Sequence, residues 1–144
     1  MLPRTHIVKE SEFDSKWYLF DAKDQILGRL ATKISRVLTG KGRVTFAPHQ
    51  VAGDHVIVVN ASKIKVTGNK LKDKIYKHYT GYPGGLVEYN LETLLRKKPR
   101  EVIFRAVERM LPKSSRGQAR MMRRLHVYAD STHEQQAQKP IEVK

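Results

Sequence analysis

Arg116, Arg120, Arg123 and Arg124 crowd the stretch KSSRGQARMMRR, which with Lys113 holds five cations and no carboxylate. The chemistry open to such residues is phosphate ligation, because the planar fork of a guanidinium can bind two phosphate oxygens at once. Ser115, followed three residues later by Gln118, matches a capping box, so a helix is predicted to begin there. At about 100° per residue the four arginines fall within one arc, with Met121, Met122 and Leu125 roughly opposite. Nothing within such a helix pairs the guanidiniums, and like charges at this spacing each cost a few tenths of a kcal/mol. The plain reading is a solvated helix face, and the sharper one is a row of phosphate contacts. Further cations at Arg29, Lys33 and Arg36, at Lys70, Lys72 and Lys74, and between Arg96 and Arg109 favour the sharper reading.

Aromatic rings interleave with cations in IYKHYTGYPGG. Tyr76, Tyr79 and Tyr82 could stack on unpaired bases. Tyr76 and Tyr79 are expected to pack inward if their strand is half-buried, which leaves Tyr82, in a Gly/Pro loop, as the stacking candidate. Gly81, Gly84 and Gly85 would permit close backbone approach. Catalytic chemistry has less support. TGKGR resembles a phosphate loop but follows a helix, whereas phosphate-binding glycines must precede one. GYPGG does precede a helix, but Glu88 and Glu92 would sit near any bound anion. No GxxxxGK[ST], GxGxxG or GxSxG motif occurs. The histidines at 6, 49, 55, 78, 126 and 133 lack ligand spacing. His49, Asp54 and His55 are more economically read as loop and strand-edge polar residues than as a metal cluster. Cysteine is absent, which removes disulfide and thiolate chemistry. No metal, cofactor or small-molecule substrate is expected.

The 144 residues fit one domain, and 40% apolar content is enough for a packed core. Formal net charge is +14, with a pI near 10.1. From Ala61 to Arg124 there are 17 Lys/Arg against 5 Asp/Glu, so that stretch carries +12 of the total. Self-repulsion of this size is tolerated when a polyanion lies against it. Nucleic acid is the leading candidate and an anionic membrane the second. A membrane-surface helix would need bulky Trp, Phe or Leu opposite its cations, whereas the Met and Leu here are better explained by core packing. No apolar run approaches the roughly 18 residues that span a bilayer. MLPRTHIVKESEFD reads as neither a secretory signal nor a transit peptide.

These residues need elements to position them. WYLFDA reads as a strand. Asp24 is expected to cap a helix whose apolar face is Ile26, Leu27, Leu30, Ile34, Val37 and Leu38, with Gly40 ending it. HVIVVNA is the strand of a sheet buried on both faces. KIKVTGNKLKDKIYKHYT alternates, and its Thr67-Gly68-Asn69 turn predicts a hairpin with Lys70, Lys72 and Lys74 at a basic tip. Asn90 would cap a short helix with Leu91, Leu94 and Leu95 inward. Pro99 would open another with Val102, Ile103, Ala106, Val107 and Met110 inward, stopped by Pro112. LHVYA follows as a strand. The polar residues from Asp130 onward would be mobile on their own. Strand, helix, buried strand is a βαβ start and points to an α/β sheet.

DAKDQILGRLATKI, NASKIKVTGNK, YTGYPGG, MLPK and LHVYA occur in this order and spacing. In these motifs the chain resembles the L-thirteen family of large-subunit ribosomal proteins, in its bacterial or organellar form, from about Lys16 to Pro140. Family-pattern residues include Gly28, Arg29, Asn60, Thr67, Gly68, Lys70, Thr80 to Gly85, and Met110 to Lys113. The chain departs from the pattern at Arg109, at Ser114 and in the order Arg100-Glu101. The resemblance implies a three-layer α/β/α sandwich around a small, mostly parallel sheet, with a basic hairpin or loop extension. It implies one ribosomal-protein domain over 1–144, with an N-terminal arm at 1–15 and an extended tail at 130–144. It further implies binding to large-subunit ribosomal RNA beside neighbouring large-subunit proteins, a role early in subunit assembly, no catalysis, and a ribosomal location in cytoplasm or organelle. The expected phosphate contacts are Lys70, Lys72, Lys74, Lys113, Arg116, Arg120, Arg123 and Arg124. Arg29, Lys41, Arg43, His78, Gly81, Tyr82, Gly84 and Gly85 complete the candidate RNA-binding set. The competing class is an α/β RNA-processing or nucleotide-dependent enzyme.

Overall fold

The β-branched run HVIVV forms strand β2 (His55–Val59), and Val56, Ile57, Val58 and Val59 are all buried. Such a run is stable only inside a sheet covered on both faces. In the computed structural model, which describes residues 13–143 without the side chains of residues 115 and 116, β2 has a neighbour on each side. One is β1 (Trp17–Asp21), parallel, with Trp17 opposite His55 and Asp21 opposite Val59. The other is a short strand later in the chain, Leu125–Val127, also parallel to β2.

A parallel pair needs a crossover, and α1 (Leu27–Thr39) supplies it. Leu27, Leu30, Ala31, Ile34 and Leu38 recur at helical spacing and are buried. Gly40 ends the helix at φ +75°, its N–H donating to the carbonyls of Arg36 and Val37. A Cβ there would also lie 2.9 Å from the Ala52 carbonyl oxygen. Asp24 is not the cap. Its φ is +60°, and the helix starts three residues later because Gln25–Leu27 is held by a strand-like bridge. Lys65 N–H donates to Gln25 O and Leu27 N–H to Lys65 O, each at 2.9 Å. Asp24 itself pairs with Lys65 at 2.8 Å, which holds its carboxyl below the usual range.

The predicted hairpin is displaced. Lys65, between Ile64 and Val66, makes the bridge to Ile26, and Thr67-Gly68-Asn69 opens into the single turn α2 (Lys70–Asp73). The hairpin is instead β3 (Ile75–Tyr79) with β4 (Leu86–Asn90), antiparallel, with Tyr79 opposite Leu86. GYPGG closes it, with Gly81 at φ +89° and Gly84 at +74°. Helices α3 (Leu91–Lys97) and α4 (Pro99–Met110) follow, with Val102, Ile103 and Val107 buried as expected but Met110, expected inward, 44% exposed at the helix end. Asn90 occupies the cap position but makes no side-chain cap bond.

Helix α5 (Ser115–Arg123) is present, with Ser114 at its N-cap position. The predicted capping box rests on the Ser115 side chain, which lies outside the described residues. The Gln118 amide donates instead to Glu108 O at 2.8 Å. Strand β5 (Leu125–Val127) completes one side of the sheet. Part of the polar tail is held in the sheet: β6 (Ile141–Val143) lies parallel to β1. The sheet is thus wholly parallel, in the order β5-β2-β1-β6. It is flanked by helices in an α/β sandwich, with the β3–β4 hairpin as a separate sheet.

The core joins Phe20, Val56, Val58, Leu125 and Val127 of the sheet to Leu30 and Ile34 of α1 and to Val102, Ile103 and Val107 of α4. Strand alternation puts Trp17, His55 and His126 on the opposite face. There the rings stack, Trp17–His55 at 4.2 Å and Trp17–His126 at 5.5 Å between centroids.

Candidate nucleic-acid interface

Helical spacing on α1 turns Arg29, Lys33 and Arg36 outward while the leucines face the core, and Lys41 follows in the exposed loop. Arg29, Lys33, Arg36, Lys41, Lys72, Lys113 and Arg123 pair with no carboxylate among the described residues. The acids are instead taken up locally: Glu88 by Lys77 at 2.8 Å, Glu101 by Arg105 at 2.6 Å, and Asp24 by Lys65. The cationic surplus seen in the composition therefore lies on the surface.

Three elements that are distant in sequence converge on one groove of about 220 Å³. Its walls come from the start of α1 (Leu27, Gly28), from Val66-Thr67 with Lys70 and Lys74, and from the end of α4 (Ala106, Arg109, Met110). Lys74 and Arg109 stand over the Tyr76 ring, at 5.4 and 5.9 Å from its centroid. Tyr76 is buried, which raises its hydroxyl pKa. The family-pattern residues Gly28, Thr67, Lys70 and Met110 thus meet in space, and Arg109 joins them. The two other departures also fit: Ser114 has an ordinary φ of −77°, and Arg100 lies over the Tyr128 ring at 5.2 Å.

The arginine face of α5 is only partly as expected. Arg120 and Arg123 are exposed, and Met121 and Leu125 are buried beneath. Arg124 is half-buried and donates to the Gly53 carbonyl. The Arg116 side chain lies outside the described residues. Lys113 is exposed just before the helix. Arg120 lines a second hollow, about 270 Å³, with His49 and Pro112.

Arg43 is also structural. It pairs with Asp54, and its guanidinium donates to Asp14 O at 2.6 Å. Asp54 is buried and additionally accepts the Lys16 N–H at 2.8 Å. It therefore ties the loop of residues 41–54 to the approach of β1. Sequence reasoning missed this hub, because an irregular loop has no periodicity to reveal which of its residues pair. It also missed the Trp17–His55–His126 stack, which depends on strand register.

At the hairpin tip, Tyr82 is 75% exposed, as a stacking residue must be. Gly81 and Gly84 are exposed with open space where a Cβ would stand, whereas a Cβ on Gly85 would fall 2.0 Å from Thr80 Oγ1. Gly85 packs against its own turn, its N–H donating to Tyr82 O at 2.9 Å. His78 is exposed on β3, beside a hollow shared with Tyr89, Lys97 and Arg105. Lys70 is exposed and contacts Thr67 Oγ1 at 3.4 Å. Among the described residues no group of three or more His, Asp or Glu is placed to hold a metal ion. No described helix is long and apolar enough to cross a membrane.

Fold and surface together define a basic α/β protein that exposes cations paired with no described carboxylate and a tyrosine-tipped hairpin on which Ile75, Tyr79 and Leu86 are also exposed. Residues 15–134 match the sequence model of a family described as Ribosomal protein L13, and the chain belongs to that family. It is 51% identical over 137 residues to the large ribosomal subunit protein uL13 of a Thermoanaerobacter species, covering 95% of each chain. It is 49% identical to that of Syntrophus aciditrophicus, covering 95% of this chain and 96% of the relative. With that of Thermotoga maritima it shares 47%, covering 95% and 91%. These relatives are named as ribosomal proteins, not as enzymes.

Proposed function

We propose that this large-subunit ribosomal protein binds large-subunit ribosomal RNA directly and supports early subunit assembly, as one domain over 1–144. The observation that carries the reading is the set of exposed cations Arg29, Lys33, Arg36, Lys41, Lys72, Lys113 and Arg123 that no described carboxylate neutralises. Phosphates of a folded RNA would neutralise them with release of condensed counterions. Arg29, Lys41, Lys70, Lys72, Lys74, Lys113, Arg120 and Arg123 are the proposed phosphate contacts. Tyr82, Gly81 and Gly84 are the tip contacts, and His78 lies on the same hairpin. Arg43 and Arg124 support the loop between α1 and β2 instead. Neighbouring large-subunit proteins are the remaining partners, and the reading needs no cofactor.

Chemical footprinting of large-subunit RNA with and without the protein tests this. Reversing Lys113, Arg120 and Arg123 to Glu abolishes protection while the melting temperature stays within a few degrees. Full protection by the reversed protein would refute the proposed face.

A further inference from the structure

We propose that the groove between α1, α2 and α4 receives a single unpaired base of the large-subunit RNA; this rests on the RNA-binding reading above. At about 220 Å³, it is smaller than the roughly 300–1,000 Å³ of drug-sized ligand sites, a size that suits one planar heterocycle. Its interior is apolar: Leu27 and Leu91 are buried beneath it, and Val66 and Met110 flank them. An apolar slot gives nothing to a phosphate, which would lose water there without gaining donors. The cationic donors that line the groove are Lys70 and Arg109, both exposed, and half-buried Lys74.

Apolar interior and lining cations together match a nucleotide whose base has left its stack while its phosphates stay outside. Lys74 and Arg109 are held in place by their shared contact with the Tyr76 ring. The first turn of α1 adds no carboxylate, so nothing acidic repels an anion at that wall. An apolar side chain from a neighbouring protein would fit the interior equally well, but it would leave the three lining cations with no partner.

The test uses the full chain and transcribed large-subunit RNA. Gly28 lies in the groove wall, and no atom stands within 4 Å of where its Cβ would be. Gly28→Phe fills the groove from one side and Ala106→Phe from the other. Each filling variant is expected to weaken binding roughly tenfold at an unchanged salt slope, and to expose one unpaired base to chemical probes. Lys70→Gln with Arg109→Gln lowers the slope itself by about 1 to 2. Folded Gly28→Phe protein with unchanged affinity and protection overturns the groove proposal, while the charge variants judge RNA binding separately. Normal RNA binding combined with failure to join the subunit would assign the groove to a protein neighbour and would also overturn it.

Discussion

Asp54 shows how one side chain changes the reading of others. It is 5% exposed and accepts from both Arg43 and the Lys16 backbone. Removing one partner of a buried charge pair costs more than the pair contributes, because the other charge is left desolvated. Asp54→Ala is expected to lose about 3 kcal/mol in denaturant unfolding. Arg43→Gln should lower the melting temperature yet leave the salt slope of RNA binding unchanged, which separates a structural arginine from a phosphate ligand. From the sequence the two arginine roles look alike, since charge is visible in a sequence and burial is not. The stacked histidines give a second residue-scale expectation. Burial, aided at His55 by Arg124, pushes both imidazoles below their ordinary pKa near 6.5. The unfolded chain therefore takes up protons first as pH falls. The stability due to neutral His55 and His126 is complete above about pH 6.5 and declines below it, towards their lower folded values. Urea midpoints at pH 7.5 and 5.5 should differ less in His126→Gln than in the parent chain.

Elements were legible where a period exists. The i, i+3, i+4 pattern located α1 and α4, and the unbroken β-branched run located β2. Boundaries set by long-range pairing were not legible. Asp24 has the chemistry of a cap, but the Lys65 bridge holds its neighbours extended. Thr67-Gly68-Asn69 has the chemistry of a hairpin turn, but the Asn69 carbonyl accepts from both Lys72 and Asp73 and winds a helical turn. The return from α1 to the sheet is tighter than any glycine pattern conveys. A Cβ on Gly53 would stand 1.7 Å from the Leu38 carbonyl oxygen, so backbone lies on backbone. Gly53→Ala should destabilise by about 2 kcal/mol, with hydrogen exchange speeding up in the 41–54 loop and at the end of α1.

Over the whole molecule, the charge imbalance was read directly from composition, whereas the convergence of Gly28, Lys70 and Arg109 on one groove required the fold. The eight proposed phosphate contacts predict a log–log salt slope of about −6 to −7 for RNA binding, and each contact removed should reduce it by nearly one. A slope near zero in a salt titration would contradict that contact surface. The sheet carries a further consequence. Strand β1 finds one neighbour at His55 and the other only at Ile141. During synthesis the first pairing can form once the βαβ segment has emerged, but the second must await Ile141, well after β5. Until then β1 presents an open row of amides and carbonyls, available to any extended chain in reach. The newborn protein is thus exposed to mispairing from the emergence of β1 until that of β6, and a stall in translation after β5 would prolong that hazard.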